Sequence, residues 1–197
     1  SGTVRLSVGA VSVTRGNFCY FDSREQRIDV RHVMASGALP PGFPPVEIDG
    51  HTYADGALLR TMNASLLLDA GADFVICVNP LVAFDASHAA RHRTHGHAPR
   101  HDLTRGGLPT VLSQTFRSMI HSRMELGMKH YERAYPGTDI VLIEPDQGDG
   151  ELYLANTFGY ARRRQMAEHA YRQTRAMLRA RNESLAPKLA RHGVTIR

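Results

Sequence analysis

Cysteine is nearly absent from this 197-residue chain: two thiols, Cys19 and Cys77, lie far apart in apolar, strand-like surroundings. Two distant cysteines make no disulfide framework, so free, buried thiols are expected, and with them a reducing, cytoplasmic location. Long hydrophobic runs are missing too. Phe74–Val78 is among the longest apolar stretches, far short of the roughly 18 residues that span a bilayer. The first residues carry neither an initiator methionine nor a basic segment followed by an apolar one, so no secretory signal is legible. With strand-like alternation starting almost at once, the chain is expected to be truncated at its N-terminus. There is no internal repeat, low-complexity tract or linker of domain scale, and a single domain over 1–197 is expected.

What is present is an ordinary globular composition, 42% hydrophobic and 22% charged, with a net charge of +5. That charge is uneven. Arg162, Arg163, Arg164, Arg172, Arg175, Arg179, Arg181, Lys188, Arg191 and Arg197 crowd the C-terminal part. The bland reading is a solvated helix face; the sharper one is peripheral attraction to an anionic membrane. Basic residues interleaved with aromatics are lacking, which argues against a nucleic-acid partner.

Periodicity sketches the elements. Alternation over Val4–Val13, resuming at Phe18–Phe21, predicts a hairpin. Asp29 is an N-cap for a short helix over Val30–Ala35. Pro40, Pro41, Pro44 and Pro45 force an extended, bent path. Val46–Tyr53 reads as a second hairpin around Asp49-Gly50. Asn63 is expected to cap a helix reaching Asp69, closed at Ala70-Gly71-Ala72. The continuously apolar Phe74–Val78 predicts a strand covered on both faces. A long helix over Leu108–Ala134, with Val111, Leu112, Phe116, Met119, Ile120, Met124 and Met128 at helical spacing, precedes a second apolar strand, Ile140–Ile143. The last helix is expected over Tyr160–Arg181. Alternating helices and strands imply an α/β layered fold with a mostly parallel central sheet.

The most informative stretch is ASGALPPGFPPVEIDGHTYADGAL, residues 35–58. A proline bend runs into a short hairpin that ends at Asp55-Gly56. Read alone, that dipeptide is a structural turn. In this order, however, the stretch resembles the aspartate-bearing half of a patatin-like phospholipase or acyl hydrolase. VRLSVGAVSVTRGNFCYFD, DIVLIEPD and ANTFGYARRRQMAEHAY extend the resemblance, toward bacterial members. Ala57 stands where many members have glycine.

The resemblance implies a three-layer fold, lipid or carboxylic-ester substrates and a Ser-Asp dyad, with Asp55 as base, Gly56 permitting its turn and Pro40–Pro45 shaping the acyl wall. It implies no metal or organic cofactor. The family's G-x-S-x-G nucleophile segment and glycine-rich oxyanion loop are not in these residues, so the chain reads as a C-terminal part that is inactive alone. Ser7 lacks one of the flanking glycines, since Arg5 occupies its place, and Ser36 sits in the proline bend. His51 is expected at a solvated hairpin tip. The alternative is a non-catalytic membrane- or partner-binding module on the same scaffold.

Other constellations are weaker. His88, His92, His95, His97, His101 and Asp102 read as a polar surface loop. The methionines of the two long helices read as core filler. Gly106-Gly107 before the long helix lacks the Lys-Ser/Thr continuation of a phosphate loop.

Overall fold

The computed structural model describes residues 4–40, 42–85, 107–149 and 160–195, which divide into two compact units at Asn63/Ala64.

In the first unit, β1 (Ser7–Ser12) and β2 (Asn17–Asp22) form the first hairpin, and β3 (Val46–Ile48) and β4 (His51–Asp55) the second. Asp49 and Gly50, at φ of 49° and 75°, close the second hairpin with the two left-handed residues that suit right-twisted strands. The hairpins join through antiparallel β1 and β4, giving the order β2-β1-β4-β3. Helix α1 (Val30–Ser36) starts as expected: Asp29 Oδ1 accepts the Arg31 N–H, and His32 Nδ1 accepts the Asp29 N–H at 3.1 Å. Such a reciprocal cap stabilises a helix start by about 1 kcal/mol. One face of the sheet places Val8, Ala10, Phe21 and Ile48 in a core with Ala35 of α1.

In the second unit, α2 (Ser65–Asp69) has Ala64, not Asn63, as its first flanking residue. It closes as expected, with Gly71 at φ 85° and the Ala72 N–H reaching the Leu67 carbonyl. Strands β5 (Phe74–Val78) and β6 (Asp139–Ile143) pair in parallel. Between them in sequence lies α3 (Gly107–Ala134); after β6 come α4 (Arg163–Ala180), preceded by a 3-10 turn, and α5 (Asn182–Arg191).

Several expectations are corrected. The fold is mixed α/β, but among the described residues three of the four strand pairings are antiparallel. Nor is β5 covered on both faces. Val75 and Cys77 are buried, whereas Ile76 and Val78 are 51% and 62% exposed. In α3 only Ile120 and Met124 of the expected stripe are buried, and Met119 is exposed. The helical pattern that was expected to end at Arg181 resumes as α5, whose Leu185 and Leu189 pack on Val141 of β6. Among the described residues no helix is long and apolar enough to cross a membrane.

Candidate functional site

Asp55 is the last residue of β4, held in register opposite Ala10 of β1. Side chains alternate along a strand, so Asp55 projects on the same face as Ala10 and Tyr53, the face covered by α1. Its N–H donates to the Ala38 carbonyl at 3.1 Å, which seats the start of the proline bend against the end of β4. The backbone then enters a 3-10 turn, Gly56–Leu58, and Asp55 Oδ1 accepts the Ala57 N–H at 2.8 Å.

Gly56 is required by space. A Cβ there would lie 2.9 Å from the Gly9 carbonyl oxygen and 3.1 Å from Phe18 Cε2, so the turn packs directly on the β1 backbone. Phe18 in turn lies under the Arg60 guanidinium, 5.4 Å from its centroid, and edge-on to Tyr20. The Tyr20 hydroxyl donates to Asn63 Oδ1. These contacts fix the segment after Asp55 from both sides.

The electrostatics single out this carboxyl. Burial pushes Asp55 above the usual carboxylate range, opposed by the Ala57 amide. Asp22 in the same unit is only 4% exposed, yet its environment is the reverse. Arg5 Nε at 2.7 Å, the Ser7 hydroxyl at 2.8 Å and the Arg24 N–H at 2.9 Å all donate to it and hold it well below that range. Asp22 is a neutralised structural anchor. Asp55 is a half-desolvated carboxyl with a raised proton affinity, the electrostatic character of a general base.

The remaining sequence candidates fall apart from it. The Ser7 hydroxyl is engaged by Asp22. Ser36 ends α1. His51 is not at a solvated tip: it opens β4, its Nε2 lies 3.1 Å from Arg15 Nη2, and its Nδ1 is buried. Four residue steps along the strand separate it from Asp55, about 14 Å at ~3.4 Å per residue, which rules out a hydrogen-bonded pair. His88, His92, His95, His97, His101, Asp102 and Gly106 lie outside the described residues. Among the described residues, no three histidine, cysteine or acidic side chains converge on a possible metal position. Cys77 is buried and Cys19 half-buried, and desolvation raises both thiols, so neither is an activated nucleophile.

Sequence reasoning missed two features. The Arg5–Ser7–Asp22 cluster joins residues 17 and 15 positions apart. In the second unit, a cleft of about 990 Å³ opens beyond the C-terminal ends of β5 and β6, lined by Val78, Pro80, Ile143 and Pro145 and by Ala170 and Met177 of α4.

With this geometry in place, the comparison with known proteins is informative. The family model described as Patatin-like phospholipase matches residues 4–68. The matched stretch contains both hairpins, α1, the proline bend, Asp55 and its turn, and it ends within α2. That description names a phospholipase, so this part of the chain is similar to a lipid-hydrolysing domain. No curated protein matches the chain.

Proposed function

We propose that this chain carries the base of a Ser-Asp acyl hydrolase acting on lipid or related carboxylic esters, and that Asp55 is that base. The observation that supports it most is the half-buried Asp55 carboxyl on a turn braced by Gly9 and Phe18, its proton affinity raised by burial. The similarity of residues 4–68 to patatin-like phospholipases supports the substrate class.

On this reading the nucleophilic serine lies on a segment outside the 197 residues. As its Oγ bonds to the ester carbonyl carbon, Asp55 accepts the hydroxyl proton, and the carbonyl oxygen takes the electron pair. Collapse of the tetrahedral species breaks the ester C–O bond, and Asp55 returns the proton to the departing alkoxide. A water then attacks the acyl carbonyl carbon and gives a proton to Asp55, which passes it to the serine Oγ as the acyl–Oγ bond breaks and the acid leaves. An unperturbed carboxylate titrating near 4 is a weak base at neutral pH. Desolvation narrows that gap. No metal or organic cofactor takes part.

The test is Asp55→Asn in the full-length natural protein, with a short-chain p-nitrophenyl ester as substrate. Turnover should fall about 10³-fold while the fold is retained, as removal of a positioned base predicts. A variant retaining wild-type turnover refutes the assignment. The 197-residue chain alone should show no esterase activity; measurable turnover there would put the nucleophile within these residues.

A further inference from the structure

The positive charge of the chain is concentrated in one place. Residues 160–195 hold nine of the 24 arginines and lysines but only two of the 19 acidic residues, so the remainder of the chain is slightly acidic. Helix α4 carries most of this excess and has no buried residue. At 100° per residue, Arg164, Tyr171, Arg172, Arg175 and Arg179 fall within an arc of about 100° along about 22 Å of helix. Ala170, Thr174 and Met177 lie toward the other side, where they line the cleft beyond β5 and β6. On the outward arc Tyr171 is 61% exposed, with the Arg175 guanidinium 5.7 Å from its ring centroid. The one acid on this arc, Glu168, is paired with Arg172.

We infer that this outward face of α4 docks the protein on an anionic lipid bilayer. Charge complementarity selects a negatively charged surface. The position of Tyr171 among the arginines selects a membrane: an amphipathic ring settles at headgroup depth while guanidinium groups on either side meet lipid phosphates. A helix face that is exposed and about as long as two or three Debye lengths senses a planar field of one sign along its whole extent. This deepens the acyl-hydrolase reading by naming the surface on which the lipid substrate is met. The contact needs no turnover, so a failed Asp55 assignment leaves it standing.

The experiment is co-sedimentation of the purified 197-residue chain with vesicles of phosphatidylcholine alone or with 30% phosphatidylserine, at low and at 0.5 M salt. Binding is expected to the anionic vesicles only, and to be lost in high salt. Replacing Arg164, Arg175 and Arg179 by Gln should weaken partitioning about 100-fold, roughly five-fold for each arginine near the surface. Replacing Arg24, Arg27 and Arg133 removes the same charge from other exposed positions and should leave most of the binding. Tyr171→Ala should weaken it less than the arginine triple does. Equal binding to both vesicle types, or equal losses in the two triple variants, would overturn the assignment. So would saturable binding of a duplex oligonucleotide in preference to anionic vesicles, which would reassign the face to nucleic acid.

Discussion

In the first unit, backbone meets backbone: the turn after β4 lies so close to β1 that one glycine has no room for a methyl group, and the buried acid of β2 is tied down by three donors. In the second unit, beyond the β5–β6 pairing, contact is made by side chains. Leu185 and Leu189 of α5 pack on Val141, alternate residues of β5 remain open, and α4 buries nothing completely. Close backbone approach tolerates few residue types, whereas a packed aliphatic surface tolerates many of similar volume. This difference offers a physical reason for the family match at 4–68, which falls almost entirely in the first unit.

The sharpest way to break that comparison is Gly56→Ala. Its new Cβ would meet the Gly9 carbonyl, which belongs to a paired strand and has no freedom to retreat. A loss of about 3 kcal/mol is expected, read as a shift in denaturant midpoint. Gly9→Ala is the control: its Cβ meets the ring tip of Phe18, which can turn aside, so about 1 kcal/mol is expected. Equal costs would show that side-chain packing, not backbone proximity, governs this unit.

A second, smaller contrast separates the faces of β5. Val75→Ala removes buried methyl groups and should cost about 2 kcal/mol, whereas Ile76→Ala on the open face should cost less than about 1 kcal/mol. If the two lose equally, the outer face of β5 is covered by something in solution, and the expectation of two-sided burial is restored.

The same contrast explains what could be read from the residues alone. Asp49-Gly50, the Asp29 cap and Gly71 are local chemistry, and each appears where it was expected. Strand pairing is not local. Nothing in Ser7–Ser12 or His51–Asp55 announces that they adjoin as antiparallel neighbours, so a mostly parallel sheet was inferred from the later strands. The apolar run Phe74–Val78 gave no sign of being half open, because periodicity reports hydrophobicity and not coverage. Helix α5 contains Pro187, a residue type that disfavours helix interiors and so weakens any local helical signal. The place of Asp55 at the end of the second hairpin was legible from its motif. Of the three donors that hold Asp22 ionised, Arg5 and Ser7 come from 17 and 15 positions away, beyond the reach of local sequence patterns.

Asp22 and Asp55, both in the first unit, make the smallest and most discriminating prediction, because their linkage to pH has opposite sign. Asp22 titrates lower when folded, since Arg5, the Arg24 amide and Ser7 favour its charge. Its contribution is present above the unfolded carboxylate range near 4 and is lost as pH falls toward the folded value. Asp22→Asn should therefore melt below wild type at pH 7, with the gap closing in acid. Asp55 titrates higher when folded, because burial opposes its charge. Its favourable contribution is complete below the unfolded range and is lost as pH rises through the folded value, so at neutral pH the ionised form strains the fold. Asparagine keeps an oxygen for the Ala57 amide and carries no charge. Asp55→Asn should melt above wild type at pH 7, with the advantage shrinking toward pH 4. A variant that melts lower at pH 7 would make Asp55 a structural residue like Asp22, and the raised proton affinity on which its proposed role as a base depends would be lost with it.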